Sequence, residues 1–518
     1  MYAFVNHTIR PLDFPLYRDC DLSFRDYTDE EGMRTYVRTL VLLLSKAAAE
    51  LHLPGREFIT FEHSISYGKY AVWGTSGAPS SEEVDLLRAK VQEIVSADME
   101  IHTLRMPLEE ALDYFRAHGR TTTCTLLENR GKCYVDCTQV EDYIDFIFGC
   151  VLPRSGMIQG FDILPYEQGI LLRYPDRRDP LSLYPAPAQP KTFEAFRRQI
   201  GLLNRLGMED LGPLNERIRE GKASELITVS EAMQEREVAR IADEIARRHK
   251  QGVRIVLISG PSSSGKTTFS KRLRAQLITH LLRPFTLSLD DFFVDRDRTP
   301  RSPNGDYDYE SLYALDLPFL HEVLLSAIQG IKVELPTYDF ASGSRLFKDR
   351  HLHLASDHVL IIEGIHALNP ELIKTLPEHS VFRVFVSALT TLSLDTHNSI
   401  STSDNRLLRR MVRDAKYRAI PPVETIRRWK SVREGEEKWI FPYQEMADDT
   451  FNSAMLYELS ALRPQAEPIL SRVMEIDPEY GEARRLLRLL RLFEPIDLKY
   501  MPPTSLLTEF LGGSSFTY

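Results

Sequence analysis

Four short runs of consecutive apolar residues stand out in the second half of the chain, and the segments between them have the apolar spacing of helices. The runs lie at residues 254–259, 285–289, 358–362 and 381–386. Strands that are buried on both faces have continuous apolar runs, and helices between such strands are typical of parallel sheets. The pattern therefore predicts an α/β domain between about residues 252 and 452, with a parallel sheet flanked by helices.

The sequence on either side of this region has a different pattern. Residues 1–174 mix short strand-like runs with helical segments at 33–51 and 81–96, which predicts an α+β region. Five prolines within residues 174–190 predict an exposed linker, because proline lacks a backbone donor and imposes extended geometry on its neighbour. Residues 235–250 predict an amphipathic helix, and the chain from 453 onwards predicts a helical tail.

Composition and charge narrow the class of protein. Of 518 residues, 43% are hydrophobic and 27% are charged, which is typical of a chain that buries several cores. The formal net charge of −10 disfavours nucleic acid as a partner. The apolar run at 40–44 is far too short to cross a membrane, and five cysteines are too few for a disulfide framework. We therefore expect a reduced, cytoplasmic protein of several domains without a membrane partner, and homo-oligomer formation stays open.

The sharpest local motif is GPSSSGKT at residues 260–267, which fits G-x-x-x-x-G-K-[ST]. It follows the strand predicted at 254–259 and opens a helix predicted at 267–282, the context that a phosphate-binding loop requires. The glycines let backbone N–H groups point at phosphate oxygens, and the helix N-terminus adds its dipole. Lys266 supplies a cation for the outer phosphates, and the Thr267 hydroxyl is a hard ligand for Mg²⁺. The motif thus predicts that a nucleoside triphosphate binds here.

Carboxylates follow two other predicted strands. Asp290 comes after the run at 285–289, and Glu363 comes directly after the run at 358–362. Because the carboxyl ends of parallel strands border the crevice in which ligands bind, Asp290 could accept a proton from a substrate hydroxyl and Glu363 could hold the Mg²⁺ shell. Each carboxylate taken alone also fits an ordinary capping role. Tyrosines beside carboxylates at 307–309 and 335–340 are candidates for stacking on a base and binding ribose, or are partly buried core.

A dense basic segment follows at residues 405–418. It contains Arg406, Arg409, Arg410, Arg413, Lys416 and Arg418 at helical spacing. In an acidic protein this local cationic surface suits a lid that closes on ATP phosphates. For any single arginine, a solvated helix face is the simpler interpretation.

These motifs resemble the uridine kinase and phosphoribulokinase family of P-loop kinases. They are GPSSSGKTT at 260–268, SLDDFF at 288–293, YDY at 307–309, LPTYDF at 335–340, IIEG at 361–364 and RLLRRMVRD at 406–414. The resemblance implies an ATP- and Mg²⁺-dependent kinase in which Asp290 is the general base on a nucleoside 5′-hydroxyl. It also implies that Asp308 holds ribose hydroxyls and that Tyr338 lies near the base, while Arg413 and Arg418 belong to the lid.

The site predicted on this basis has four groups of residues. The catalytic residues are Asp290, Lys266 and Arg413. The ATP-binding residues are Gly260, Ser262, Ser263, Ser264, Gly265, Lys266, Thr267, Thr268, Arg413 and Arg418. The substrate-binding residues are Asp290, Phe293, Asp308, Tyr309, Tyr338 and Arg345, and the Mg²⁺ ligands are Thr267 and Glu363.

Two positions depart from the uridine kinase pattern. In those kinases a histidine that helps to read the pyrimidine follows the Y-D-F element, and Gly343 stands at its place here. Phe293 replaces the usual tyrosine. Both differences concern the choice of base and leave the phosphotransfer residues intact. A phosphoribulokinase-like or pantothenate-kinase-like alcohol is therefore an alternative substrate.

The N-terminal half resembles other proteins. Residues 5–29 resemble the later half of a TGS domain, and residues 33–175, with DEEGMRTY at 29–36 and FEHSISYGKY at 61–70, resemble the editing-type second domain of threonyl-tRNA synthetase. Those domains carry an H-x-x-x-H pair and a later Cys and His, whereas Arg38, Leu42, Ile147 and Val151 stand at these places here. The resemblance implies a degenerate domain without hydrolytic editing or metal binding, and the whole combination resembles a bacterial family of nucleoside kinases.

The predicted organisation has five parts. They are a partial TGS-like segment (1–32), a synthetase-like domain (33–175), a proline-rich linker with helices (176–250), a kinase domain (251–452) and a helical extension (453–518).

An ATP-gated RNA-binding or regulatory protein is the alternative function. The basic segment and the synthetase-like half suggest it, whereas the acidic charge and the lack of an RNA-stacking pattern disfavour it. Zinc at Cys133 and Cys137, or a metal at His351 and His353, fits the spacing. Buried thiols and isolated polar pairs on an edge strand are nevertheless commoner than metal sites.

Overall fold

The N-terminal part combines small antiparallel sheets with helices, in a computed structural model that describes residues 2–12, 14–301, 305 and 307–517. Its strands are β1 (Tyr2–Val5), β2 (Thr8–Arg10), β3 (Leu22–Arg25), β4 (Ile59–Ile65), β5 (Gly68–Trp73), β6 (His102–Pro107), β7 (Tyr134–Val140), β8 (Tyr143–Asp145), β9 (Asp162–Tyr166), β10 (Gly169–Arg173), β11 (Pro175–Asp176) and β12 (Asp179–Leu183). Its helices are α1 (Glu30–Leu51), α2 (Ser81–Ser96), α3 (Leu108–Ala117) and α4 (Thr121–Glu128). The sheets β2-β1-β3, β4-β5-β10-β9 and β6-β7-β8 confirm the predicted α+β character.

The proline-rich segment is more ordered than its composition predicts. β11 and β12 pair as a hairpin, and Tyr184 stacks on Tyr67 with ring centroids 5.5 Å apart. Residues 178–179, 181–182, 185–188 and 190 are exposed, so much of the segment has the predicted exposure. It is not an extended linker at residues 175–183, because two of the prolines belong to the β11–β12 hairpin, which aromatic contacts hold in place.

The second half is built around a parallel sheet. The helices α5 (Pro190–Leu206), α6 (Leu211–Arg219) and α7 (Ala223–His249) lead into it. The strands that follow are β13 (Ile255–Ser259), β14 (Arg283–Ser288), β15 (Val333–Asp339), β16 (Ser344–Leu352), β17 (His358–Glu363), β18 (Val381–Ser387) and β19 (Asp449–Asn452). The helices are α8 (Lys266–Thr279), α9 (Leu317–Ile328), α10 (Pro370–Ile373), α11 (Thr402–Tyr417) and α12 (Pro422–Trp439). The main sheet has the order β14-β17-β13-β18-β19, all parallel, which confirms the predicted fold class and its four predicted strands.

Both faces of this sheet are buried because alternate strand residues enter two apolar cores. In β13, Ile255 and Leu257 pack in the core that contains α9, whereas Val256 and Ile258 pack with α7 and α8. The continuous apolar run of the strand follows from this double burial. The pairing of β17 with both β13 and β14 brings the carboxyl ends of these strands to one edge.

The C-terminal helices α13 (Glu458–Leu470), α14 (Tyr480–Leu490) and α15 (Thr508–Leu511) pack into the rest of the molecule. One apolar cluster contains Phe115 of α3, Leu408 of α11 and Leu487 of α14. The boundary predicted at residue 453 therefore runs through a shared core. Among the helices of the described ranges, none is long and apolar enough to cross a membrane.

Candidate active site

The phosphate-loop motif connects β13 with α8. Ser263 has a φ of 58° and Gly265, the N-cap of α8, has a φ of 85°, so the loop uses left-handed conformations to turn its backbone. A Cβ at Gly265 would lie 2.6 Å from the side chain of Leu506, so the tail leaves no room for one. The hydroxyl groups of Ser263 and Ser264 are buried without a hydrogen-bond partner in the described part of the chain. The loop therefore holds polar groups that a ligand could satisfy.

Lys266 folds back over this loop. Its ammonium donates hydrogen bonds to the carbonyl oxygens of Gly260 at 2.9 Å and Pro261 at 3.1 Å. Burial lowers the pKa of Lys266, and the charges of Glu363 and Glu509 oppose that shift. The ammonium is thus held by neutral acceptors, which bind a cation less strongly than an anionic phosphate oxygen does. Thr267, beside it in the first turn of α8, is partly exposed.

Asp290 and Glu363 lie at the same edge of the sheet as the loop. Glu363 is the last residue of β17, and its Oε1 accepts a hydrogen bond from Ser288 Oγ at 3.1 Å. Burial raises the pKa of Glu363 to about 7, and the charge of Asp290 adds to the rise. Loss of water around its carboxylate raises the pKa of Asp290, although the residue keeps an exposed surface, while the charge of Lys266 lowers it. In the sheet, Glu363 is paired with Ile258 of β13 on one side and with Ser288 of β14 on the other, so Lys266, Asp290 and Glu363 follow the ends of neighbouring parallel strands.

Two carboxylates that the motifs did not mark lie near the phosphate loop, the half-buried Glu310 and the fully buried Glu436. Burial, with a contribution from the charge of Glu436, raises the pKa of Glu310 to about 7. Glu436 accepts a hydrogen bond from the backbone N–H of Ser262 at 3.0 Å and forms a buried ion pair with Arg406. Burial alone would raise the pKa of Glu436, but Arg406 lowers it. Glu436 lies in an ordinary charged helix sequence, so only the packing of α12 on α11 reveals its position.

The basic segment forms α11, which packs against the phosphate loop. Arg410 Nη1 donates a hydrogen bond to Ser262 Oγ at 3.0 Å. Arg413 pairs with the adjacent Asp414 at 2.9 Å, and Arg418 lies 3.6 Å from the same carboxylate. The binding of ATP by Arg413 and Arg418 therefore stays a prediction. Arg410 contacts a side chain of the loop, although it was not among the predicted site residues.

Two other arginines of α11 have structural contacts. Arg406 and Arg409 are fully buried, and each forms an ion pair with a buried glutamate. Their guanidinium groups donate to the carbonyl oxygens of Ser262 at 3.1 Å and Ser263 at 3.3 Å. This burial removes much of the basic surface on which the RNA-binding alternative rested.

Aromatic side chains adjoin the crevice. Phe293 packs edge-to-face against Tyr338, with ring centroids 5.5 Å apart, and against Tyr309 at 6.0 Å. The Tyr338 hydroxyl is buried and has no hydrogen-bond partner among the described residues. The Asp308 carboxylate accepts a hydrogen bond from the backbone N–H of Glu310 at 3.2 Å, which restricts its orientation.

Arg345 has a different contact from the one predicted. Its guanidinium donates to Asp316 Oδ2 at 2.7 Å and lies 5.1 Å from the centre of the Phe319 ring. In this structure the ion pair anchors the β15–β16 hairpin, and the substrate-binding role of Arg345 stays a prediction. In the same hairpin Gly343 has a φ of 73°, and a Cβ there would lie 2.6 Å from Arg296 Nε. A histidine at this position of the turn would therefore be strained and would require the Arg296 side chain to move.

The C-terminal helix α15 covers the start of α8. Glu509 Oε2 accepts hydrogen bonds from the backbone N–H of Thr268 at 3.3 Å and from its hydroxyl at 2.7 Å. Thr268 is one of the predicted ATP-binding residues, so a carboxylate of the chain itself contacts polar groups assigned to the nucleotide. The contact joins positions 241 residues apart, which no local motif could have indicated.

The N-terminal positions that replace the synthetase histidines and cysteine form no metal site. Leu42 and Ile147 belong to an apolar core, against which Val151 packs, and Arg38 pairs with Glu31 at 2.8 Å. Among the described residues, the one group of carboxylates, thiols or imidazoles with metal-site spacing is formed by Glu50, Glu141 and Asp142. Its three carboxylates instead surround the ammonium of Lys46.

The cysteines and histidines that the sequence suggested as metal ligands are not grouped around a common point either. Cys133 is exposed and Cys137 is buried. His351 Nδ1 lies 3.3 Å from the carboxylate of Asp349. Neither pair belongs to a group with metal-site spacing in the described part of the chain.

Comparison with known proteins agrees with this geometry. Residues 255–458 match the family described as Phosphoribulokinase / Uridine kinase family. The C-terminal half contains a domain of this family. The synthetase-like and TGS-like resemblances of the N-terminal half stay predictions.

Individual relatives match this kinase-family domain over part of their length. The chain is 37% identical to a uridine kinase of Schizosaccharomyces pombe over 169 residues, which are 32% of this chain and 33% of that protein. It thus spans about a third of that relative. It is 29% identical to a uridine kinase of Staphylococcus aureus over 38% of this chain and 84% of that protein. A solved structure of a possible uridine kinase from Bacillus stearothermophilus shares 19% identity, covering 41% of this chain and 100% of that one, with a TM-score of 0.28.

Proposed function

We propose that the chain transfers the terminal phosphoryl group of ATP to the hydroxyl of a small alcohol in a Mg²⁺-dependent reaction. The observation that carries this proposal is the common crevice of Lys266, Asp290 and Glu363 at the carboxyl edge of the parallel sheet. A triphosphate needs a cation and backbone donors, a magnesium ion needs hard oxygen ligands, and an alcohol needs a base. Lys266 with the loop backbone, Glu363 and Asp290 are suited to these three tasks in turn.

The donor set fits a magnesium nucleotide. The buried hydroxyls of Ser263 and Ser264 and the Lys266 ammonium are suited to phosphate oxygens. The Thr267 hydroxyl and the Glu363 carboxylate would hold the metal, directly or through water. When bound, Mg²⁺ neutralises charge on the phosphate oxygens. Arg410, already at the loop, would add positive charge from the lid.

In this proposal Asp290 accepts the proton of the substrate hydroxyl. The hydroxyl oxygen forms a bond to the terminal phosphorus as the bond between that phosphorus and the bridging oxygen of ATP breaks, so ADP leaves. The Asp290 residue is exposed, so a substrate hydroxyl can reach it, and the positive charge of Lys266 favours the ionised form that accepts a proton.

We propose a nucleoside 5′-hydroxyl as the acceptor. The cluster of Phe293, Tyr309 and Tyr338 supports this choice, because aromatic faces suit a base and the neighbouring Asp308 suits ribose hydroxyls. The missing histidine at Gly343 argues for a base contact unlike that of uridine kinases. Arg413 and Arg418 would join the lid only after a shift from Asp414 toward the phosphates.

The test of the reaction is Asp290→Asn, with Asp291→Asn as its matched control. Asp291 is next in the chain, but its carboxylate pairs with Arg350 at 2.8 Å. We expect Asp290→Asn to keep ATP affinity and to lower phosphoryl transfer about 10²–10⁴-fold, the range of a general base. Asp291→Asn should stay within a few-fold of the wild type. Transfer at the wild-type rate in Asp290→Asn would remove this residue from the mechanism.

The acceptor is identified with radiolabelled ATP and a panel of alcohols. The panel contains purine and pyrimidine nucleosides, with ribulose 5-phosphate and pantothenate as acceptors that lack a base. Labelled product from one or more nucleosides is expected. If only the alcohols without a base give product, the chain is a kinase but its acceptor is not a nucleoside. If no acceptor gives product, both the kinase activity and the nucleoside acceptor are contradicted.

A further inference from the structure

A second cavity lies between the N-terminal region and the kinase domain, apart from the crevice of Lys266 and Asp290. Its volume is about 430 Å³. Its walls come from α1, the β4–β5 hairpin, the β11–β12 hairpin, the start of α5, the loop before α11, and the ends of α11 and α12. Distant parts of the chain thus enclose a space large enough for a small metabolite.

Cations outnumber carboxylates on these walls. The cavity is lined by Arg34, Lys69, Arg177, Arg406 and Arg433, against Glu30 and Glu437. Several of the arginines are neutralised by ion pairs. Lys69 is different, because its ammonium donates to Ser399 Oγ at 2.5 Å and pairs with no carboxylate in the described part of the chain. Its charge is therefore uncompensated.

His63 gives a second, independent sign of a missing ligand. It lines the cavity and only 4% of its surface is exposed, yet neither ring nitrogen has a hydrogen-bond partner within the described ranges. The nearest carboxylate oxygen, from Glu62, lies 3.7 Å from Nδ1. Burial lowers the pKa of His63 to about 3, so the ring is neutral. A neutral imidazole offers one donor and one acceptor, and buried polar groups without partners are rare.

The N-terminus of α11 borders the same cavity. Ser401, the N-cap of this helix, and Thr402 and Ser403 of its first turn line the wall beside Ser399. The amino end of a helix carries partial positive charge, which adds to that of Lys69.

We propose that this cavity binds a small organic anion, whose carboxylate or phosphate lies between Lys69 and the N-terminus of α11. Ser399 would contact the same anionic group, and the imidazole of His63 would contact another polar group of the ligand. The proposal goes beyond the phosphotransfer reaction and does not depend on it.

Such a ligand would touch a segment that is connected to the phosphate loop. Residues 399–403 run directly into α11, in which Arg406 donates to the carbonyl oxygen of Ser262 and Arg410 donates to the hydroxyl of the same serine. A ligand in the cavity would thus affect the position of α11 relative to the phosphate loop.

The test is calorimetric titration of the full-length chain with inorganic phosphate and, separately, with acetate at constant ionic strength. All proteins carry Lys266→Ala, so that the phosphate loop loses its cation. The variant is Lys69→Met, and the control is Lys499→Met, an exposed lysine paired with Asp497 at 3.0 Å. We expect binding to weaken about tenfold or more in Lys69→Met and to be unchanged in Lys499→Met, since a charge-assisted hydrogen bond is lost.

Ser399→Ala provides a second variant that keeps the charge of Lys69, and it decides the question if Lys69→Met does not fold. We expect about threefold weaker binding from the loss of one neutral hydrogen bond. Binding of phosphate alone assigns a phosphorylated ligand, and binding of acetate alone assigns a carboxylate. Binding of neither probe, or equal affinity in all variants, would overturn the proposal.

Discussion

Glu363 is the last residue of β17, an interior strand of the main sheet. Its carboxylate is affected by the charges of Asp290, Lys266 and Glu509. Lys266, Asp290 and Glu363 could be predicted from the sequence, because each follows a recognisable strand at its carboxyl end. Glu310 and Glu436 could not, since nothing in their local sequence separates a buried carboxylate from a solvated one. The ion pair of Arg345 with Asp316 could not be predicted either, because the two residues lie 29 positions apart in the chain.

Glu363→Gln should stabilise the protein in a pH-dependent way. Burial raises the pKa of Glu363 from 4.5 to about 7 in the folded state. Above pH 7 the carboxylate is charged in both states, and its charge lowers the free energy of unfolding. As the pH falls below the folded pKa, the folded state takes up a proton and this destabilisation disappears by about pH 4.5. At pH 8 the variant should be more stable than the wild type by about 2 kcal/mol, and the difference should shrink toward pH 5.

Urea denaturation at pH 8, 6.5 and 5 measures this difference. The control is Glu371→Gln, which changes an exposed glutamate paired with Lys374 at 3.0 Å. If the difference in free energy of unfolding between Glu363→Gln and the wild type does not change with pH, Glu363 does not titrate in this range. Loss of phosphoryl transfer in the same variant would be consistent with its proposed role at Mg²⁺.

At the scale of elements, long and strongly patterned segments were the most predictable. α2 was predicted at 81–96 and is found at Ser81–Ser96, where Ser80 and Glu83 form a capping box. β19 was not predicted, because four residues without a distinctive apolar run become a strand only by pairing with β18. α15 is equally short, and its contact with the phosphate loop depends on packing that no local pattern encodes.

Glu509→Gln should raise the affinity for nucleotide. The Glu509 carboxylate accepts two hydrogen bonds from Thr268, and a bound phosphate would compete for the same groups. Removing the negative charge favours the nucleotide by electrostatics as well as by the weaker hydrogen bond. We expect about three- to tenfold tighter binding of a non-hydrolysable ATP analogue with Mg²⁺ in calorimetry.

Glu494→Gln is the matched control, because Glu494 belongs to the same tail but pairs with Arg219 at 2.9 Å. Equal affinity of Glu509→Gln and the wild type would mean that the carboxylate and the nucleotide do not compete. Failure of both proteins to bind would instead count against the phosphate loop itself.

At the scale of the whole molecule, ion pairs tie α1, α11 and α14 together. Arg485 of α14 binds Asp404 of α11 through two hydrogen bonds of 2.7 Å, and Arg34 of α1 pairs with Glu482 at 3.0 Å. Such contacts between distant segments explain why the composition could indicate several units without revealing that they share a core. These helices are far apart in the sequence, and their contacts become visible only in the folded structure.

Arg485→Ala should destabilise the whole chain. Arg485 is 7% exposed, and its loss would leave the buried Asp404 without its main partner. Removing one member of a buried pair costs about 3 kcal/mol in the free energy of unfolding. Arg427→Ala is the control, because Arg427 pairs with Glu479 at 2.9 Å but its side chain is 57% exposed, and it should cost less than about 0.5 kcal/mol. Equal urea midpoints for the two variants would contradict the importance of this network.

Because Glu509 lies close to the C-terminal end of the sequence, the ribosome synthesises it long after the phosphate loop. The phosphate loop emerges with the parallel strands, whereas the carboxylate that contacts Thr268 is encoded 241 residues later. At roughly 5–20 residues per second, translation needs on the order of 10–50 seconds to cover that interval. During this time a nascent chain would present the loop without its competing carboxylate, so cellular ATP would meet the open loop first and the helix that carries Glu509 would arrive second.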